Sequence, residues 1–384
     1  MKIGIFGGTF NPPHKGHITS ARAATEQLGL DLLLIVPAGL PPHKQLPEMT
    51  PPAKIRLEMS KVSFEEIQNA SISDVELSTT NPSYTVQTVQ KLAHGYPGSQ
   101  LFLLVGTDMY LTLETWKDSK ELLKYVTPAV FSRSAEDMTG IAEHSKRLHE
   151  LYGATTQIVK TTVVDISSSE LRRMLPERMG LRYIADTTYS YIIKNRLYGA
   201  KPDWDWLRES AYSMLNPARI PHVAGCELEA VKLAKRWSID PDNAREAGIL
   251  HDITKKNSPE ENIIIFKDHG ITYDKPGFAE EKLFHAQTGA ILAKSMFGVS
   301  DEVAEAIRWH TTGKAGMSTL EKIIYIADYI EPERDFPGVD DLRQAAYEDL
   351  DKALKLGLEM SVSDMKARGI KPNRTTFDAL NYIG

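Results

Sequence analysis

Cysteine is almost absent from this chain of 384 residues, which contains only Cys226. A single thiol cannot form an internal disulfide bond, so we expect the fold not to depend on an oxidising compartment and Cys226 to pack in a core. The sequence also lacks an apolar run long enough to cross a bilayer, and its first residues lack the apolar core of a signal peptide. These features predict a cytoplasmic protein with no membrane partner.

Positive charge is not in excess either. The chain carries 45 Lys and Arg against 51 Asp and Glu, a formal net charge of −6. Because neither half is basic, we expect no nucleic-acid partner. Small phosphorylated ligands remain compatible with this balance, since a small site needs only a few local cations or a metal ion.

The first half alternates short apolar runs with helical patterns. Two of these helical patterns, at 18–29 and 86–95, end on Gly29 and Gly95. The alternation predicts an α/β domain with a parallel, Rossmann-like sheet, in which ligands bind beyond the carboxyl ends of the strands. The runs that we interpret as buried strands are KIGIF, DLLLIV, LFLLV and PAVFS.

The pattern changes near residue 197, where KPDWDW follows the last helical stretch of the first half. Beyond it, CELEAVKLAKRW, DEVAEAIRWH and TLEKIIYIADYI all show apolar residues at helical spacing. A length of 384 residues itself favours two domains. We therefore predict an α/β domain at 1–197, a linker at 198–204 and an all-α domain at 205–384.

The string GGTFNPPHKGH starts where the first predicted strand ends. Gly7 and Gly8 permit a tight turn and a close approach of the backbone to a ligand. His14 and His17 are three residues apart, so both can lie on one face of the next helix and donate hydrogen bonds to phosphate oxygens. The string is neither a P-loop nor a GxGxxG fingerprint. It predicts a phosphate site at a helix N-terminus.

A second string, ISSSELRR at 166–173, follows the strand-like TTVVD and opens a helical stretch. Serine residues are ordinary at a helix start, where they act as caps. Their hydroxyls, the free amides of the helix and Arg172 would together form a second anion site. We expect this site to face the first one across the sheet.

These two strings resemble the paired signatures of the HxGH nucleotidyltransferases, in particular of bacterial nicotinate-mononucleotide adenylyltransferases. The resemblance spans roughly residues 1 to 197, and Ser169 keeps the hydroxyl of the usual threonine. It implies that the phosphate of nicotinate mononucleotide attacks the α-phosphorus of ATP, with Mg²⁺ held largely by phosphates. Further matches are PPHK at 41–44, PSYT at 82–85, GTD at 106–108 and the pair Trp116-Lys117.

The resemblance also implies roles for individual residues. Catalytic charge stabilisation falls to His14, His17, Lys44 and Arg172. Nucleotide contacts fall to Gly7, Gly8, Thr9, Phe10, Gly106, Asp108, Ile166, Ser167 and Ser168, and the nicotinate pocket to Tyr84, Thr85 and Trp116. Other HxGH enzymes, such as pantetheine-phosphate adenylyltransferases or cytidylyltransferases, remain alternatives for this half.

The second half places ionisable residues on apolar helical faces. In AGILHDITKK an apolar run leads directly into His251 and Asp252, and in IIYIADYI Asp328 shares the apolar face of its helix. A buried carboxylate is costly unless it is paired or binds a cation. Because transition metals favour imidazole and carboxylate ligands, the pattern predicts a metal site. His269, in KDHGITYD, is interpreted as a loop residue.

The order H…HD…H…H…D resembles the HD superfamily of phosphohydrolases, and several segments are similar to bacterial HD-domain diadenosine tetraphosphate hydrolases. The resemblance implies one or two transition metals, with iron expected, and symmetrical hydrolysis of diadenosine tetraphosphate to two ADP. Asp252 would be both ligand and catalytic residue. The implied ligands are His222, His251, Asp252, His285, His310 and Asp328, and the implied phosphate contacts are Lys255, Lys314 and Arg334.

Other functions remain open for the second half. A nucleotidase or a cyclic-nucleotide phosphodiesterase could use the same metal ligands. The domain could also act as a nucleotide-sensing regulator that does not turn over its ligand. The sequence does not predict an oligomeric state.

Overall fold

The computed structural model describes residues 1–39, 46–77, 83–132, 135–271 and 281–383 of the chain. They divide into two compact units, Met1–Lys201 and Pro202–Gly384. Among the described residues, none of the helices combines the length and apolar character that a membrane span requires.

The first unit contains a six-stranded parallel sheet in the order β3-β2-β1-β4-β5-β6, which confirms the predicted Rossmann-like α/β architecture. The chain passes from β1 to β2 on one side and returns to β4 on the other, so the order reverses between β1 and β4. The strands are β1 (Lys2–Gly8), β2 (Leu32–Pro37), β3 (Ala70–Ile72), β4 (Gln100–Gly106), β5 (Val126–Ser132) and β6 (Gln157–Lys160).

Helices cover both faces of this sheet, which is why its strands are nearly continuous apolar runs. Ile5 belongs to the core on one face and Phe6 to the core on the other, because successive strand residues point in opposite directions. The helices are α1 (Lys15–Leu28), α2 (Ala53–Phe64), α3 (Thr85–Gly95), α4 (Thr107–Leu111), α5 (Ser119–Tyr125), α6 (Ala135–Tyr152), α7 (Ser168–Met174) and α8 (Asp186–Lys194).

The helix ends of the first unit agree with the sequence-based expectations, and one strand does not. Gly29 caps α1 in the left-handed conformation, with φ 62°, and Gly95 is the last residue of α3, with Tyr96 as its cap. Residues 161–165, TTVVD, form no strand, because β6 ends at Lys160. Their composition of threonine and valine has β propensity, but among the described residues their only backbone hydrogen bond to the sheet runs from Thr161 N–H to the carbonyl of Ser132 in β5, across 3.2 Å.

The described residues of the second unit, 202–271 and 281–383, form helices joined by loops and contain no strand, which confirms the predicted all-α half. Helix α15 is almost entirely buried and runs through the core. The helices are α9 (Trp204–Ser213), α10 (Ile220–Arg236), α11 (Pro241–Leu250), α12 (Pro259–Asp268), α13 (Phe284–Phe297), α14 (Asp301–Trp309), α15 (Thr319–Ile330), α16 (Val339–Glu348), α17 (Leu350–Ala367) and α18 (Arg374–Ile383).

Two contacts fix the helices that carry the second candidate site. A Cβ atom at Gly248 would lie 2.9 Å from the Cα atom of Glu227, so α10 and α11 approach backbone to backbone. The buried carboxylate of Glu227 accepts two hydrogen bonds from Arg208, of 3.0 and 2.8 Å, which tie α9 to α10. A bidentate pair of this kind compensates for burying the carboxylate.

Two candidate functional sites

The first candidate site is a cleft of about 390 Å³ at the carboxyl ends of β1 and β4. This is the point where the strand order reverses, the usual ligand position in an open parallel sheet. The structure brings ten of the predicted residues to this cleft from three separate segments. They are Gly7, Gly8, Thr9, His14, His17, Gly106, Ile166, Ser167, Ser168 and Arg172.

The two histidines lie at the start of α1. His14 is the N-cap residue, and its backbone N–H donates to Nδ1 of His17 across 3.2 Å. The two ring centroids are 3.8 Å apart. Because Nδ1 of His17 accepts a hydrogen bond, the neutral ring carries its proton on Nε2. His17 can therefore present an N–H donor to a phosphate oxygen.

Residues 9–14 lie between β1 and α1, and together with Gly8, the last residue of β1, they form the segment that we call the 8–14 loop. Three of its carbonyl oxygens accept hydrogen bonds from distant parts of the first unit. Arg56 Nη1 donates to Thr9 O across 2.8 Å, Arg172 Nη1 to Asn11 O across 2.6 Å, and Ser168 Oγ to Pro12 O across 2.8 Å. Carbonyl oxygens engaged in this way repel a bound anion less than free ones would.

Ser167 is the N-cap residue of α7, in a reciprocal capping box with Glu170. Its Oγ accepts from the backbone N–H of Glu170 across 3.1 Å and donates to the Glu170 carboxylate across 2.7 Å. The hydrogen bonds that the Glu170 carboxylate accepts from the hydroxyl and the backbone N–H of Ser167 lower the pKa of the Glu170 carboxyl. The Ser167 hydroxyl thus has partners in its own helix, and Ser168 and Arg172 connect that helix to the 8–14 loop.

Two predicted nucleotide contacts, Phe10 and Asp108, are not among the residues that line the cleft. The side chain of Phe10 is 1% exposed and packs edge-to-face against Phe6 and Phe64, so it belongs to the core. Asp108 is exposed in the first turn of α4. Lys44 lies outside the described residues.

The predicted nicotinate residues are not among the lining residues of the cleft either. Tyr84 is the N-cap residue of α3, which begins at Thr85. The ammonium group of Lys117 lies 4.1 Å from the centre of the Tyr84 ring. Its neighbour Trp116 is half-buried and packs, like Tyr84, against the core on that face of the sheet. The structure therefore places two of the predicted aromatic residues against one core.

The second candidate site is a buried cluster in the second unit. Five segments supply its six side chains, all at least nine-tenths buried. Helices α10, α13 and α15 carry one residue each, and the other three follow the last residues of α11 and α14. They are His222, His251, Asp252, His285, His310 and Asp328.

Asp252 is the centre of this cluster. Its Oδ1 lies 3.4 Å from Nε2 of His285 and 3.6 Å from Nε2 of His310, and its Oδ2 lies 3.5 Å from Nε2 of His251. Two groups of three possible ligand atoms lie within 4.8 Å of one another and share His251. They are His222, His251 and Asp328, and His251, Asp252 and His310.

A hydrogen bond from Nδ1 orients each of the four imidazole rings. His251, His285 and His310 each contact a backbone carbonyl of the preceding turn through Nδ1, at 2.8, 2.8 and 2.7 Å. His222 contacts the carboxylate of Glu331 at 3.0 Å. Because carbonyl and carboxylate oxygens only accept, Nδ1 carries the proton and Nε2 presents its lone pair to the cluster.

The cluster fits a divalent transition metal. Within the described part of the chain, Nε2 of His251 and Oδ1 of Asp252 are buried atoms without a hydrogen-bond partner. Buried polar atoms without a partner are uncommon and costly. Imidazole nitrogen and carboxylate oxygen are ligand types that iron and its neighbours accept.

Cationic side chains surround the cluster. Arg219 Nε donates to Asp252 Oδ2 across 2.7 Å, and Lys255 Nζ lies 3.0 Å from His285 Nε2. Arg334 pairs with the Asp328 carboxylate. Lys314, the third predicted phosphate contact, instead pairs with Glu321 across 2.7 Å. Lys314 is a half-buried residue of the loop between α14 and α15 and is not part of the cluster.

Sequence reasoning missed Arg219 and Glu331. Both lie three residues from a predicted ligand, Arg219 before His222 and Glu331 after Asp328. Residues three apart on a helix are neighbours, so the spacing contained the signal. Cys226, expected to pack in a core, is fully buried in the core of the second unit.

Glu331→Gln should weaken metal binding by about tenfold, the lower end of the loss seen when the partner of a ligating histidine is changed. The substitution removes the negative charge that makes Nε2 of His222 a stronger electron-pair donor to the metal ion. Metal affinity can be measured by competition with a chromogenic chelator. Glu333→Gln is the matched control, because its side chain is exposed two residues away. Equal affinities for the two variants would contradict the role of Glu331.

Comparison with known families agrees with the two-part structure. Residues 5–174 match the cytidylyltransferase-like family, and residues 219–333 match the HD domain family. A probable nicotinate-nucleotide adenylyltransferase from Exiguobacterium sibiricum is 34% identical over 194 residues, which are 50% of this chain and 96% of that protein. The corresponding protein from Thermus thermophilus is 37% identical over 201 residues, 52% of this chain and 100% of that one.

One solved structure matches about half of this chain. A predicted HD superfamily hydrolase involved in NAD metabolism, from Clostridium acetobutylicum, is 40% identical. The match covers 47% of this chain and 96% of that protein, with a TM-score of 0.45. The chain belongs, through its first half, to the nicotinate-nucleotide adenylyltransferase family with its cytidylyltransferase-like fold, and its second half is an HD domain.

Proposed function

We propose that the first unit transfers AMP from ATP to nicotinate mononucleotide, giving nicotinate adenine dinucleotide and pyrophosphate. The observation that carries this proposal is the meeting of His14, His17 and Arg172 in one cleft at the reversal of strand order. The family relationship supports the choice of substrates over those of other HxGH nucleotidyltransferases.

The chemistry requires no nucleophilic side chain. A phosphate oxygen of nicotinate mononucleotide attacks the α-phosphorus of ATP, the new P–O bond forms, and the bond to the pyrophosphate oxygen breaks. The protein contributes position and charge stabilisation. His17 donates from Nε2 and Arg172 supplies a fixed positive charge, while Mg²⁺ that enters with ATP neutralises phosphate charge.

The nicotinate ring would bind near Tyr84, Thr85 and Trp116. A half-buried indole offers a flat face for stacking on a pyridine ring. Backbone amides suit the carboxylate of nicotinate, because charged acceptors form stronger hydrogen bonds than an amide oxygen does. We therefore expect the enzyme to prefer nicotinate mononucleotide over its amide.

His17→Ala should lower the turnover of dinucleotide synthesis by about 10²-fold or more, the scale of losing one preorganised donor to developing charge. Product formation can be followed by chromatography, and thermal melting should show an intact fold, since His17 lines a cleft. His94→Ala, at the exposed end of α3, is the control and should retain activity. Near-normal synthesis by His17→Ala would remove His17 from the mechanism.

We further propose that the HD domain hydrolyses nucleoside polyphosphates, with diadenosine tetraphosphate cleaved to two ADP. Water would attack one of the two central phosphorus atoms, and the oxygen that bridges them would leave with the other ADP. One or two metal ions, with iron as the expected metal, would supply an activated water and bind phosphate oxygens. The ligands would be the six residues of the buried cluster.

The cations beside the cluster support a polyphosphate substrate. Arg219, Lys255 and Arg334 each contact a proposed ligand and could meet phosphate oxygens along one chain. A purely sensory domain would need no activated water, so a complete ligand set favours hydrolysis over nucleotide sensing. Nucleotidase and phosphodiesterase activities are the alternatives that a substrate screen would separate.

Asp252→Ala should abolish the hydrolysis of diadenosine tetraphosphate and deplete bound metal, because a carboxylate can bridge two metal ions and contributes the negative charge that imidazoles lack. Dinucleotide synthesis should stay close to that of the wild type, since covalent fusion alone does not imply coupling. One purified variant would be tested by elemental analysis, ADP release and dinucleotide synthesis.

Two outcomes would contradict this account of the second half. Retained ADP release would exclude Asp252 from the site. Loss of both activities with an intact fold would mean that the two sites are coupled.

A further inference from the structure

Tyr198 connects the C-terminal end of the first unit to the 8–14 loop. Its hydroxyl donates to Oδ1 of Asn11 across 2.8 Å, between residues 187 positions apart in the chain. The Tyr198 side chain is 4% exposed, and Asn11 is 3% exposed. Burial raises the pKa of the Tyr198 hydroxyl above its ordinary value, so the phenol remains a donor at neutral pH.

Asn11 is held through three of its polar groups. Besides the bond from Tyr198, its Nδ2 donates to Oγ1 of Thr50 across 2.9 Å and its carbonyl accepts from Arg172 across 2.6 Å. These three contacts come from separate segments of the first unit. Asn11 is thus one of the residues that attach the loop to the rest of the fold, together with Thr9 and Pro12, and it is the one held through its side chain.

The backbone on either side of the Tyr198 contact is in an uncommon conformation. Phe10, next to Asn11, has φ 45°, and Tyr198 has φ 62°. Non-glycine residues rarely adopt these values unless the surrounding structure holds them there. Such conformations are frequent in binding loops, where they fix a geometry that free loops would not keep.

The end of the unit is itself anchored. Lys201 N–H donates to the carbonyl of Leu175 across 3.1 Å, directly beyond α7. Tyr198 and Arg172 therefore approach Asn11 from two segments that are bonded to each other. Tyr198 holds the side chain of Asn11, and Arg172 holds its backbone carbonyl.

We propose that Tyr198 is a positioning residue of the first site, whose hydroxyl holds Asn11 and, through it, the 8–14 loop in the arrangement that binds the phosphates of ATP. This inference rests on the proposed adenylyl transfer. Tyr198 does not touch substrate. It acts because a fixed loop presents its donors without reorganisation when charge develops.

Tyr198→Phe removes only the hydroxyl. We expect kcat/KM for ATP to fall by about tenfold, less than for a donor that contacts the charge directly. Hydrogen–deuterium exchange should become faster in peptides covering residues 7–17 and stay unchanged in β5. Tyr183→Phe is the matched control, because Tyr183 lies on the surface beside Arg182 and should leave both measurements unchanged.

Asn11→Ala tests whether the effect passes through Asn11. The double variant Y198F/N11A should lose no more activity than Asn11→Ala alone, because both changes break one interaction. Thr50→Val removes the other side-chain contact of Asn11 and should act in the same direction, which keeps the test valid if Tyr198→Phe folds poorly.

Wild-type exchange and kinetics in Tyr198→Phe would overturn the proposal. Faster exchange throughout the first unit, including β5, would show that Tyr198 only stabilises the fold and would also overturn it. A wild-type protein that makes no dinucleotide would refute the proposed function. The exchange of residues 7–17 would still decide the role of Tyr198.

Discussion

A single hydrogen bond at Nδ1 decides what His17 and the four histidines of the buried cluster can do. His17 accepts at Nδ1 from a backbone N–H, so its Nε2 carries the proton and can donate to a phosphate. His251, His285 and His310 donate from Nδ1 to carbonyl oxygens, so their Nε2 atoms are acceptors that can bind a metal. The same side chain thus serves two chemistries, and the local backbone selects between them.

This dependence explains why rigid elements carry both sites. The N–H that orients His17 belongs to the cap of α1, and the carbonyls that orient the second set lie in the last turn before each ring. A shift of the backbone would change the orientation of the ring as well as its position. Close contacts such as that between Gly248 and Glu227 hold those helices in place. Stability and function therefore depend on the same packing.

Much of this arrangement was predictable from sequence, because strand, turn and helix patterns are local. GGTFNPPHKGH predicted the cleft at the end of β1, and the buried ionisable residues predicted the metal cluster. Contacts between distant segments were not predictable in the same way. The pairing of Tyr198 with Asn11 spans the whole first unit, and the bond from Arg219 to Asp252 joins residues that are 33 positions apart in the chain. Lys314 was predicted from the sequence to contact phosphate, but in the structure it pairs with Glu321.

If one chain carries two sites with different metal requirements, selective removal of the transition metal should separate the two activities. Full-length protein would be stripped with a strong transition-metal chelator and returned to buffer containing only Mg²⁺. Both reactions would then be measured in the same sample. We predict that dinucleotide synthesis from ATP and nicotinate mononucleotide survives, while ADP release from diadenosine tetraphosphate is lost and returns with added iron. Hydrolysis that persists in Mg²⁺ alone, or synthesis that disappears with the transition metal, would contradict it.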